Sequence, residues 1–229
     1  MVRTADQIHV YLEAGQKKTF AGALDWPGWC RSGGDEATAL MSLFTYGARY
    51  ARLLHAAQME FTAPADASAF TVMERLTGNS TTDFGAPAIA PSADSAPVRA
   101  AHLERFQQLL RASWRAFDLA RRSAAGRELR KGPRGGGRET DDIIRHVIEA
   151  DQAYLGKIGW KLRINERDHV ETKLDQARQA ILEGLAASAG GELPVQGPRG
   201  SIYWTPRYFV RRTAWHVLDH AWEIEDRLS

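Results

Sequence analysis

Apolar and polar positions alternate near the start of the chain and then switch to a helical period. Ile8, Val10 and Leu12 take every second position, the spacing of a strand with one buried face. A turn at Ala14-Gly15-Gln16-Lys17-Lys18 and a return from Phe20 to Leu24 make residues 8–25 a predicted hairpin. Trp26-Pro27-Gly28-Trp29 stops the second strand, since proline and glycine do not continue a ladder. Asp35 is then a good N-cap for a helix from Glu36 to about Gln58, with Leu40, Leu43, Phe44, Gly47, Tyr50, Ala51 and Leu54 on one face. Ala69–Leu76 reads as a third strand. The pattern over residues 1–76 is a small β-β-α-β domain.

Residues 77–97 are rich in Ser, Thr, Pro, Gly and Ala and read as a linker or long surface loop. Beyond them the period is helical. Val98–Ser123 carries Leu103, Phe106, Leu110, Trp114, Phe117 and Leu119 at helical spacing. Thr140–Trp160, His169–Ala187 and a last segment from Trp204 or Pro206 to Leu228 follow. Gly-Pro and Gly-Gly breakers separate the four helices, which predicts an antiparallel four-helix bundle over residues 98–229. The expected fold class is therefore α+β.

The composition changes this picture little. With 229 residues, 44% apolar and 25% charged, the chain is ordinary for a soluble globular protein. Its net charge is +2, from 7 basic and 10 acidic residues in 1–95 and 23 and 18 in 96–229, too small an excess to point to nucleic acid. A single cysteine, Cys30, excludes an internal disulfide and any multi-cysteine metal site. The first residues carry no apolar signal core, and no stretch approaches 18 uninterrupted apolar residues. The expected location is cytoplasmic, with no membrane partner.

The chemistry-bearing segment is Trp215-His216-Val217-Leu218-Asp219-His220-Ala221-Trp222. Residues four apart share a helix face, about 6 Å apart at Cβ, a gap that one divalent cation bridges. Two histidines make a weak site, so a third ligand must come from a neighbouring helix. His146, amid core-type residues in the second bundle helix, is the candidate. Three neutral imidazoles leave coordination positions open for water or substrate. Spacing alone also fits a hydrogen-bonded core histidine at 146 and two half-exposed histidines on the last helix.

Arg211 to Arg227 (RRTAWHVLDHAWEIEDR) resembles the last helix of DinB-like proteins, and Asp142–Leu155 (DIIRHVIEADQAYL) resembles their histidine-bearing second helix. This resemblance spans roughly residues 97–229. The family includes the YfiT-like metal-dependent hydrolases and mycothiol-dependent maleylpyruvate isomerases. It implies a four-helix bundle holding a divalent metal, zinc or nickel first and iron as a further option, on His146, His216 and His220. It also implies transfer, isomerisation or hydrolysis, commonly with a low-molecular-weight thiol whose thiolate is the reactive form.

Glu223 lies on the same stripe, three after His220. It reads as a fourth ligand, a partner to an imidazole N–H, a general base or a solvated carboxylate. Glu149 and Asp142 flank His146 by one turn, as orienting groups or surface charges. Tyr154, Trp215 and Trp222 read as core or pocket wall. The basic connection from Gly126 to Arg138 offers Arg130 and Arg134 as an anion clamp for a thiol cofactor or acidic substrate, or is simply solvated. His9, His55, His102 and His169 lack ligand-like spacing, and Cys30 reads as structural.

Phe20 to Cys30, followed by Gly33-Gly34-Asp35-Glu36-Ala37, is similar to the HicB pattern, a strand ending at a Pro-Gly turn before an Ala-rich helix. HicB proteins are antitoxins that bind a small RNA-cleaving partner. The expected role of this module is to cover the bundle, to form a homodimer or to sense a ligand. Two functional expectations follow: a metal-dependent enzyme acting on a small molecule or thiol, or a regulatory interaction protein with a structural or vacant metal site.

Overall fold

In a computed structural model the chain divides into two compact units, Met1–Ala96 and Pro97–Ser229. Residues 7–131 and 137–228 are described below.

The first unit holds a four-stranded mixed sheet in the order β3-β2-β1-β4. Its strands are β1 (Ile8–Ala14), β2 (Thr19–Ala23), β3 (Cys30–Gly33) and β4 (Phe70–Thr77). β1 and β2 form the predicted hairpin, with Val10 opposite Ala23 and Leu12 opposite Ala21. β4 runs parallel to β1, with a register shift between Val10 and Tyr11. The extra strand, β3, corrects the β-β-α-β expectation. Gly28 takes φ +96°, so the Trp-Pro-Gly-Trp segment turns the chain and lets it rejoin the sheet rather than ending the ladder.

Helix α1 (Glu36–Ala56) starts where the sequence places it. The Asp35 carboxylate accepts from the Thr38 N–H at 2.8 Å, and the Thr38 hydroxyl oxygen accepts from the Asp35 N–H at 3.1 Å. This reciprocal pair satisfies two otherwise orphaned donors. The unit's core centres on Trp29, fully buried, stacked on Tyr50 at 5.7 Å and edge-on to Phe61 at 5.3 Å. Gly47 admits the indole, since a Cβ there would lie 3.2 Å from Trp29 Cζ2.

The 77–96 stretch is not an empty linker. It forms a short helix, α2 (Ser80–Phe84), and closes over a buried carboxylate on β1. Glu13 is fully buried; it accepts from the Thr82 hydroxyl at 2.5 Å, the Ala88 N–H at 2.8 Å and the Ile89 N–H at 3.1 Å. Both faces of β1 are therefore covered, and the apolar alternation reports only one of them. Glu13→Gln should cost about 2 kcal/mol in urea unfolding, because an amide N–H₂ cannot accept where two backbone donors converge. A change under about 0.5 kcal/mol would show that water replaces these bonds.

The second unit consists of α3 (Ala100–Ser123), α4 (Thr140–Lys157), α5 (Val170–Ala189) and α6 (Pro206–Leu228). All four predicted helices form, with ends shifted by two or three residues at most from the sequence reading. Helix α6 packs on α3, α4 and α5 and is buried around most of its circumference from Tyr208 to Trp222. A helix buried on every side is ordinarily apolar, so the buried Arg211, Arg212, Thr213, His216 and His220 along it stand out. Among the described residues no helix is long and apolar enough to cross a membrane.

Candidate metal centre

α4 contributes His146 and α6 contributes His216 and His220, and these two helices pack together. One ligand atom from each ring falls within 4.8 Å of the others. The ring centroids are 5.0, 5.0 and 4.7 Å apart, and every pair of rings meets edge to face. Nε2 of His146 and Nε2 of His216 are 3.2 Å apart. Two nitrogens bound to one tetrahedral ion at 2.0–2.1 Å would stand about 3.3 Å apart. The donor set and its spacing fit a divalent cation of the zinc class.

The protonation of the rings suits ligation. Burial, then the charges of Arg138 and His220, lowers the pKa of His146 below its ordinary value. Burial, reinforced by His220, His146 and Arg212, pushes His216 well below it. Both imidazoles are thus neutral, with lone pairs available, at pH 7 and somewhat below. His216 Nδ1 is buried with no hydrogen-bond partner among the described residues, and its ring is held by Tyr154 at 5.6 Å and Trp215 at 6.1 Å.

Glu223 does not join the three rings. Its Oε2 accepts from His220 Nδ1 at 2.8 Å and its Oε1 accepts from Arg227 Nη1 at 3.1 Å. With the proton on Nδ1, the His220 lone pair is fixed on Nε2. Burial alone would raise the Glu223 pKa, but His220 and then Arg227 outweigh it and hold the carboxylate below the ordinary glutamate range. Arg227 in turn donates from Nε to the Arg130 carbonyl at 2.8 Å and from Nη1 to the Arg138 carbonyl at 2.6 Å.

Arg130, read from the sequence as an anion clamp, is engaged at the end of α6. Its Nη2 donates to the Asp226 carbonyl at 2.7 Å and its backbone N–H to the Arg227 carbonyl at 3.0 Å. With Arg127, which donates to the Leu228 carbonyl at 3.3 Å, it caps the C-terminal turn of α6. Arg134 lies outside the described residues. Asp142 pairs with Arg145 at 3.1 Å rather than with His146, while the charge of Glu149 reaches the His146 ring. Trp215 and Trp222 are buried, and Tyr154 lines the site. Of the other histidines, His55 bonds the Phe61 carbonyl at 2.8 Å, and His102 accepts from the Arg99 N–H. Cys30 is buried against the Tyr11 hydroxyl.

Two neighbours escaped the sequence reading. Arg212, one turn before His216, donates from Nη2 to the Tyr154 hydroxyl oxygen at 3.1 Å, and Asp151 on α4 is a fully buried carboxyl. Arg212 had a signal in its four-residue spacing from His216, whereas Asp151 had none. A cavity of about 490 Å³ also opens beside α4, floored by Ile144, Ile148 and Ile164 and rimmed by Asp141, Glu149 and Glu166. None of the three histidines lines it, so the metal-binding reading stands on the ring geometry alone.

No family model, no curated protein and no solved structure matches this chain.

Proposed function

We propose that this protein is a divalent-metal-dependent enzyme of the DinB-like type, acting as a thiol-dependent S-transferase or isomerase, with hydrolysis as the second choice. The observation that carries the reading is the convergence of His146, His216 and His220 from two packed helices within 4.8 Å. The four helices of the second unit, with the histidine-bearing helix second and the His-x-x-x-His helix last, support the DinB-like bundle, and the resemblance of those two segments supports the family. The first unit, with its Pro-Gly turn and its Asp35-capped helix, supports a HicB-like module.

A divalent cation held by His146, His216 and His220 would acidify a coordinated water or thiol and polarise a carbonyl. The chain's own residues supply the rest. His146 and His216 are kept unprotonated by burial, so that both lone pairs are available near neutral pH. Glu223 fixes the tautomer of His220 and carries negative charge toward its ring. Tyr154 and Trp215 flank His216 and keep bulk water from its ring. His146, Tyr154 and Glu223 are only half-buried, so a small ligand reaches the rings from that side.

The test is elemental analysis of untagged protein beside His216→Ala. About one zinc, nickel or iron per chain is expected in the wild type, and none in the variant, whose helical circular dichroism should persist. A wild type that stays metal-free after reconstitution with several divalent cations would overturn the reading and leave a core histidine cluster in an interaction protein.

A further inference from the structure

We propose that the groove between α4 and the segment leading into α5 binds a linear α,ω-diamine, with its polymethylene chain on an isoleucine floor and its ammonium ends at the carboxylates of Asp141 and Glu149. None of the three histidines lines this groove, and the proposal does not depend on the metal-centre reading.

The cavity holds about 490 Å³, within the usual range of small-molecule sites. One stripe of α4 forms a whole wall of it, since positions 141, 144, 145, 148, 149 and 152 recur at helical spacing. Ile144 and Ile148 make the floor together with Ile164 from the opposite segment. Val170, at the start of α5 and 43% exposed, carries the apolar surface out to the edge. An exposed apolar residue by itself is ordinary. Four that meet in one concavity make a surface that gains free energy when a ligand displaces its water.

Charge decides what fills it. The carboxylates of Asp141, Glu149, Glu166 and Asp168 outnumber two cations, Arg145 and Lys173, so the groove is net negative. Both cations already have partners: Arg145 Nη2 stands 3.1 Å from an Asp142 carboxylate oxygen, and Lys173 Nζ donates to the Glu166 carbonyl at 2.5 Å. Asp168 accepts from Gln176 Nε2 at 3.1 Å. The carboxylates of Asp141, Glu149 and Glu166 make no hydrogen bond or ion pair among the described residues. An acidic rim over an apolar floor repels anions and suits an ammonium carried on a methylene chain. Asp141 and Glu149 are eight residues apart on one helix, which is about 12 Å, with Ile144 and Ile148 between them. An extended diamine of about eight carbons spans that length, with an ammonium at each carboxylate and the chain over the isoleucines. A monoamine would leave one of the two carboxylates without a counter-charge.

Titration calorimetry of the full chain at pH 7 and about 0.1 M salt tests this with 1,8-diaminooctane as the probe. Affinity should rise about twofold per added methylene from diaminobutane to diaminooctane, because each one covers more of the floor. Diaminooctane should bind about fivefold more tightly than octylamine, since its second ammonium meets a second carboxylate. Asp141→Asn and Glu149→Gln should each bring that ratio to about one with helical circular dichroism unchanged. Glu104→Gln, at an exposed position of α3, should leave the ratio intact. His216→Ala should bind the diamine as the wild type does. Spermidine is similar in length but sets a charged nitrogen over the isoleucines, so it should bind more weakly. Spermidine binding tightest of all, or a ratio unchanged in Asp141→Asn and Glu149→Gln, would reduce the effect to general attraction to acidic surface and overturn the proposal. Absence of binding at millimolar diaminooctane would overturn it as well, and loss of binding in a folded His216→Ala would move the ligand to the histidines.

Discussion

Asp151→Asn is expected to stabilise the protein by about 4 kcal/mol at pH 8, and by about 2 kcal/mol at pH 5. Asp151 is 1% exposed on α4, and its Oδ1 has no hydrogen-bond partner among the described residues. Burial raises its pKa from 3.8 to about 7, opposed only in part by the charge of Arg178. Arg178 is already committed to Asp118, with bonds of 2.7 and 2.9 Å to the two carboxylate oxygens. The folded protein therefore holds a proton on Asp151 between pH 4 and 7 that the unfolded chain releases. Stability contributed by this group falls as pH rises through that window and levels off above 7, the reverse of an ion-paired carboxylate. Asparagine keeps the shape without the ionisation, so its advantage grows with pH. Urea unfolding of the chelator-treated proteins at pH 5, 6.5 and 8 reads this directly, with metal linkage removed. An advantage that does not change with pH, or an asparagine variant less stable throughout, would show that Asp151 is hydrated or paired in solution.

The fold was legible in the sequence wherever one local signal decided the outcome. Asp35 as an N-cap after Gly33-Gly34 placed the start of α1, and the helical period from Leu103 to Leu119 placed α3. It was least legible where a distant group decided. β3 was missed because Pro27 and Gly28 read as an end when they form a turn, and only pairing with β2 makes Cys30–Gly33 a strand. The 77–96 stretch has the composition of a linker, yet the buried Glu13 carboxylate recruits its backbone N–H groups.

The same division holds at the site. His216 and His220 share a helix face by spacing; His146, 70 residues earlier, was the candidate third ligand from its place among core-type residues of the second bundle helix, and the family resemblance strengthened that link. Arg211 and Arg212 are adjacent on α6, and two neighbouring arginines ordinarily signal a solvated face. Nothing local reveals that this helix is buried around most of its circumference. The engagement of Arg130 at the end of α6 was hidden for a related reason. A basic, glycine-rich connection looks solvated or ligand-binding in isolation, but the carbonyls ending α6 accept from its donors.

Glu223→Ala is expected to weaken zinc binding about a hundredfold, and Glu223→Gln about tenfold, measured by competition with a chromophoric chelator at pH 7. The carboxylate has two tasks: it fixes the His220 proton on Nδ1 and lends negative charge to the ring, which raises the basicity of Nε2. Glutamine retains an acceptor oxygen for the first task and lacks the charge for the second, hence the intermediate loss. Alanine removes both and also takes the carboxylate from Arg227, whose Nη1 keeps the Arg138 carbonyl, leaving a cation without its counter-charge beside a site that must accept a divalent one. Acidification separates the partners. Glu223 stays ionised below the ordinary glutamate value, while burial keeps His146 and His216 neutral as the pH falls through 6.5. The wild type should therefore keep its metal down through that pH and release it lower, as the imidazoles protonate, with both variants releasing it at higher pH. Each alternative role predicts a different pattern. As a fourth ligand, Glu223 would make glutamine nearly as damaging as alanine; as a general base only, it would leave zinc affinity within twofold of wild type in both variants while turnover fell. That second result would remove Glu223 from the positioning of His220.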